Sequence, residues 1–189
     1  MTKIVVFGAS GRAGKQIAAV AEARGHEVLR IGRDPGVHKA AEVLAGQGAG
    51  YDVAVSAVAD LQVDAAEFYT EAARALVASG VGRIIVVGVF PLLEASPGVR
   101  MVDLPDFPEE NRAFMEGHAA GVRVLADSDA EWLVISPVGM FGGTSSGKYR
   151  IGTLDPSDEL TYEDFARAVV DEIETPTHHH TQIGVTSVS

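Results

Sequence analysis

The chain has 189 residues, 47% hydrophobic and 22% charged, and its 26 acidic and 15 basic side chains leave a net charge of −11. That length suits one domain of roughly 100–200 residues with a core able to stand without staples, and the composition excludes a disordered chain. With no cysteine, disulfide frameworks, thiolate zinc sites, iron–sulfur clusters and cysteine nucleophiles are excluded.

Residues 3–8 form an apolar run ending in glycine, and residues 12–24 place Ile17, Val20, Ala21 and Arg24 at helical spacing before Gly25. This predicts strand, turn, helix. A second strand is expected over 27–32, a weaker helix over 37–45, and a glycine-rich break at 46–50 before an apolar strand at 52–57. A longer helix follows at 64–78. The β-branched run 83–88 reads as a central parallel strand. Four prolines between 91 and 108 predict a long loop, the kind that is usually functional or mobile. A helix at 109–126, a strand at 132–136 closed by Pro137, and a glycine and serine loop at 139–147 come next. Thr161 with Asp164 has the spacing of a helix N-cap opening an acidic helix to about residue 174, and 182–186 reads as a final strand. No segment approaches the ~20 apolar residues of a membrane span. The N-terminus has no secretory cleavage pattern, so a cytoplasmic chain is expected.

The alternation predicts an α/β fold: a single domain with a doubly wound parallel sheet, its ligand site beyond the carboxyl ends of the strands. The loops after Gly8, Gly32, Ala57, Gly88 and Pro137 then face one crevice.

Between the first strand and first helix stands Gly8-Ala9-Ser10-Gly11-Arg12-Ala13-Gly14, a G-x-x-G-x-x-G. Its glycines suit a tight turn, close approach of backbone to a pyrophosphate, and close packing of helix on sheet, with the helix N-terminus facing the anion. In a βαβ unit this is a dinucleotide-binding pattern. Where the second strand ends, an acid would serve the ribose hydroxyl of NAD and a base the 2′-phosphate of NADP. Arg33 holds that place, with Arg12 near and Asp34 as the one opposing sign, so NADP is favoured over NAD.

Charge supports this division. Residues 1–50 carry seven bases and four acids, and residues 51–189 carry eight bases and 22 acids. The acidic remainder repels polyphosphate, making nucleic acid and anionic membranes poor partners; a small-molecule acceptor is expected, bound by a monomer or homodimer.

GASGRAG, the strand end at Arg33, VAVSAV, IIVVG and SPGVRMVDLPDFPEE together resemble the NAD(P)H-binding, NmrA-like group of atypical short-chain dehydrogenases/reductases. They are similar to proteins named NADH-flavin reductases and biliverdin reductase B-like proteins. The resemblance spans nearly the whole chain and implies a Rossmann-type fold and a dinucleotide. Members include reductases and non-catalytic NADP sensors. It implies cofactor contacts from Gly8, Ser10, Gly11, Arg12, Ala13, Gly14 and Arg33 at one end, and from Ser56, Ala57, Val58, Gly88, His118 and Pro137 toward the nicotinamide. The interval before Asp52 is too short for the helix, third strand and further helix that the group fits there, so the third strand is expected to be reduced or missing.

Carbonyl reduction in short-chain dehydrogenases uses Tyr-x-x-x-Lys. Four residues beyond Tyr51, Tyr69, Tyr149 and Tyr162 stand Val55, Ala73, Thr153 and Ala166. Counting back 19 residues from Pro137, the offset of that lysine in relatives, reaches His118, with Phe114 four before it. Phenylalanine donates no proton. His118, whose ordinary pKa is near neutral, is the candidate catalytic group, as a proton donor or a hydrogen-bonding partner of the nicotinamide ribose. The expected reaction is therefore hydride transfer to a flavin-like or quinone-like acceptor, whose delocalised ring takes its proton from water. Phe90, Met140 and Phe141 are expected to supply the apolar face of the acceptor pocket. The alternative is a non-catalytic NADP(H) sensor that binds a partner through the 91–108 loop or the acidic C-terminal helix. His178-His179-His180 is not read as a metal site, because three consecutive side chains do not converge on one ion from an extended segment.

Overall fold

The computed structural model describes residues 1–32, 50–152, 155 and 157–188. Three expectations fall outside these residues: the helix at 37–45, the fate of the third strand, and Arg33.

Among the described residues, a sheet of seven strands runs in the order β2-β1-β3-β4-β7-β11-β9. Its members are β1 (Lys3–Phe7), β2 (Glu27–Ile31), β3 (Val53–Ser56), β4 (Arg83–Val87), β7 (Trp132–Pro137), β11 (Thr181–Ser187) and β9 (Tyr149–Ile151). All neighbours pair in parallel except β9, which lies antiparallel on β11. The doubly wound reading holds, with one antiparallel edge strand that the sequence did not suggest.

The inner strands are apolar on both sides because both faces of the sheet are covered. In β1, Ile4 and Val6 pack toward one face and Val5 and Phe7 toward the other, all fully buried. Each such side chain contributes about 1.5–3 kcal/mol of burial. The first face is covered by α1 (Arg12–Ala23) through Ile17, Ala18 and Ala21, and by α4 (Tyr162–Glu174) through Phe165 and Val169. Helices α2 (Ala65–Ala78) and α3 (Glu109–Ala126) pack together over the second, with Leu76 and Leu125 in its core. None of the helices among the described residues is long and apolar enough to cross a membrane.

The stretch 91–108 departs from the expected long loop. It begins within a 3-10 turn at Phe90–Leu92, continues as a hairpin of β5 (Glu94–Ser96) and β6 (Val99–Arg100), and ends in a second 3-10 turn at Met101–Asp103. Arg100 pairs with Asp103 and Glu116, and the Arg112 guanidinium donates to the Val102 carbonyl, so the segment is tied onto α3. Likewise the 139–147 loop contains β8 (Met140–Phe141), which pairs with β10 (Glu159–Leu160). Strands this short have no readable period, and tertiary contact alone creates them.

β1 stands between β2 and β3, so the chain leaves it to one side and returns on the other. At that switch point the loops diverge and a crevice opens above Gly8 and Ala57.

Candidate functional site

The crevice is a cleft of about 550 Å³. At its base the chain turns out of β1 at Gly8, whose φ of +76° is left-handed and strained for any other residue. A Cβ there would also lie 2.4 Å from the Ala57 carbonyl oxygen, and one on Gly14 would lie 2.3 Å from the Gly8 carbonyl oxygen. These glycines let the first turn of α1 sit directly against the ends of β1 and β3. The Gly11 amide donates to the Gly8 carbonyl at 2.9 Å and closes the turn. Gly11 caps α1 without a side-chain hydrogen bond, and the first turn carries no acid. Its free N–H groups and positive dipole end therefore point to the cleft, an arrangement that suits a pyrophosphate.

Gly8, Ser10, Gly11, Arg12 and Ala13 line this end, and Gly32 at the end of β2 joins them. Gly14 does not line it; it packs beneath. Ala57, Val58, Gly88 and Pro137 line the far end, with His118 and Phe141. Ser56 is buried and faces a separate small space of about 20 Å³ behind His118. Two expectations of the acceptor wall are not met. Met140 is 73% exposed and points away, and Phe90, in its 3-10 turn, is not in the lining. Alternation along β8 explains Met140: successive side chains of a strand point to opposite sides, and Phe141 takes the inward one.

His118 sits on α3, where Gly117 and Gly121 allow α2 to approach: a Cβ on Gly117 would lie 2.5 Å from Ala65, and one on Gly121 2.8 Å from the Tyr69 carbonyl oxygen. The close approach stacks the Tyr69 ring on the His118 imidazole at 3.7 Å, with Phe114 edge-on to His118 at 5.0 Å. Burial pushes the His118 pKa down to about 4, because the apolar surroundings disfavour the imidazolium. At neutral pH it is an uncharged ring with one N–H to offer. This corrects the expectation drawn from its ordinary pKa: the environment removes the charged proton donor. Among the described residues, the Tyr69 hydroxyl is buried without a hydrogen-bond partner, and burial raises its pKa further.

Sequence reasoning missed Asp60, Phe68 and Tyr162, which also line the cleft. Tyr162 had a signal: it follows the recognised cap Thr161, whose hydroxyl accepts the Asp164 amide at 3.0 Å. The Tyr162 ring lies flat on Phe141, 3.9 Å between centroids and 8° between planes, and the Arg12 guanidinium lies over Tyr162 at 5.4 Å. Arg12 thus rests against this aromatic wall, with no ion pair among the described residues. Beside this wall, the buried Asp164 carboxylate accepts from Ser145 Oγ at 2.6 Å, the Gly147 amide at 3.1 Å and Ser187 Oγ at 3.0 Å. Burial opposes its ionisation, but these hydrogen bonds outweigh that and hold its pKa below the ordinary value.

The histidine triplet diverges. His178 bonds Glu172, while His179 and His180 both reach Glu131.

A family model described as NAD(P)H-binding matches residues 8–176. The chain belongs to the NAD(P)H-binding family. Among similar sequences, the "Uncharacterized protein YwnB" of Bacillus subtilis (strain 168) is 28% identical over 209 residues, covering 98% of each chain. A structure from Burkholderia pseudomallei, named "putative exported protein", superposes with a TM-score of 0.84 at 30% identity, covering 98% of this chain and all of its own. One from Streptococcus pneumoniae TIGR4, named "putative NADH-flavin reductase", gives 0.86 at 24% identity with both chains fully covered. The fold is a Rossmann-type NAD(P)H-binding fold.

Proposed function

We propose that this protein is an NADPH-dependent reductase of a flat conjugated acceptor, of the flavin or quinone kind. One observation carries the reading: one cleft has a glycine-turn backbone cradle at one end and aromatic rings with an uncharged histidine at the other.

The dinucleotide, when bound, supplies a hydride from its nicotinamide ring. The residues present fit it. The Gly8–Gly11 turn and the first N–H groups of α1 would hold the pyrophosphate, with Ser10 and Ala13 bordering it; the sequence offers Arg33, outside the described residues, for the 2′-phosphate. Ala57, Val58, Gly88 and Pro137 leave room for a flat ring at the far end. His118 offers a neutral N–H to the ribose. Phe114, Phe141 and Tyr162 wall the acceptor side and keep it poor in water. No residue needs to supply a proton in the transition state, since a flavin or quinone spreads the incoming charge over its ring. The acceptor gains the hydride and takes one proton from water, which balances the reduction.

Steady-state oxidation of NADPH with FMN, FAD, riboflavin and a quinone panel tests this. Turnover with at least one acceptor is expected; NADPH binding without any turnover overturns it. Replacing Arg33 with alanine is expected to weaken NADPH roughly 10–100-fold, the worth of a charge-assisted hydrogen-bonded contact, and to leave NADH nearly unchanged. Equal losses would remove the 2′-phosphate assignment. The 91–108 and α4 segments give little support to a partner-binding sensor: the first is folded onto α3, and α4 buries Phe165, Val169 and Val170 and engages Asp171 and Glu174 with Arg24.

A further inference from the structure

We propose that Arg12 couples the two halves of the cleft: its guanidinium covers the aromatic face on which a planar acceptor rests, and a dinucleotide phosphate draws it away. The inference rests on the NADPH-dependent reading above and adds an order of binding.

The geometry is a ring shared by two partners. Phe141 covers one side of the Tyr162 ring at 3.9 Å, and the Arg12 guanidinium lies over the ring at 5.4 Å. All three side chains line the cleft. Phe141 follows β7 and is the fixed support, edge-on to the fully buried Phe165 at 6.0 Å. Arg12 is the movable member. It is exposed, begins α1 directly after the glycine turn, and makes no ion pair among the described residues. A cation resting on an aromatic face is held weakly, whereas a guanidinium–phosphate contact is charge-assisted and forked. A phosphate arriving at the N-terminus of α1 therefore wins Arg12 from Tyr162. The vacated ring then offers a flat face, and a conjugated acceptor that stacks there enters only after the dinucleotide. By linkage, an acceptor on Tyr162 strengthens dinucleotide binding by the same factor.

Riboflavin is the suitable probe, since it has the flat ring and no phosphate of its own to attract Arg12. Its fluorescence quenching is titrated against the protein alone and with saturating NADP+, so no turnover is involved. The expected result is at least about fivefold tighter riboflavin binding with NADP+. Arg12→Ala is expected to bind riboflavin without NADP+ as tightly as the parent does with it. Tyr162→Leu, which removes the face and keeps the cation, is expected to bind riboflavin weakly in both conditions and NADP+ about two- to fivefold more tightly, because no cation–π contact has to be broken. Riboflavin binding that ignores NADP+ in the parent, or equal enhancement in Arg12→Ala, overturns the coupling while leaving the reductase reading intact. A parent protein that leaves the fluorescence of NADPH, titrated alone, unchanged overturns both.

Discussion

At the end of the cleft above β1 the boundary is backbone, and at the end above β4 and β7 it is side chains. The first tolerates no added atom: Cβ groups on Gly8 or Gly14 would lie within 2.4 Å of carbonyl oxygens. The second is a set of rings, His118 backed by Tyr69, and Tyr162 on Phe141, that meet across elements distant in sequence. The backbone end has one geometry and suits a ligand part that never varies. The ring end is shaped by packing and charge, so substitutions there change chemistry before they change the fold.

The largest expected effect lies at the backbone end. Gly8→Val combines a left-handed φ with a backbone clash, and each contributes about 1–3 kcal/mol. Urea unfolding is expected to show a loss of about 2–6 kcal/mol, together with loss of NADPH binding; a variant of parental stability would break the contrast. At the ring end, the depressed pKa of His118 makes stability depend on pH. Burial of the neutral ring disfavours protonation in the folded state, so the unfolded chain binds the extra proton between the ordinary pKa of 6.5 and about 4. The contribution is complete above that window and is lost as pH falls through it. His118→Phe keeps the stacked ring and removes the titration. Unfolding at about pH 4.5 relative to pH 7 should cost the parent about 2 kcal/mol more than the variant; equal acid losses would show that His118 is not buried neutral.

The smallest expected effect has the opposite sign. Tyr69→Phe deletes a buried hydroxyl with no partner and keeps the ring on His118, so stability should rise by about 1 kcal/mol. A loss would show that the hydroxyl has a partner in solution.

The backbone end was legible in the sequence because its requirement is local. A left-handed turn and a close helix each need glycine at fixed spacing, and Gly8, Gly11 and Gly14 advertise that within seven residues. The apolar runs of β1, β3, β4 and β7 likewise announced strands covered on both faces, since a continuous run has no side to expose to water. The ring end was legible only in part. Phe141 was anticipated and Met140 beside it was assigned to the same pocket, but a two-residue strand carries no pattern to say which of them faces inward. Tyr162 joins the site because α4 packs beside α1, which brings Arg12, 150 positions earlier in the chain, to its ring. The character of His118 was decided in the same way. Its ring became neutral and stacked because Gly117 and Gly121 let α2 come close enough to exclude water from it. Local conformational need is written in the residues that meet it. Burial and charge state are decided by neighbours the chain supplies from far away, and these only the tertiary structure determined.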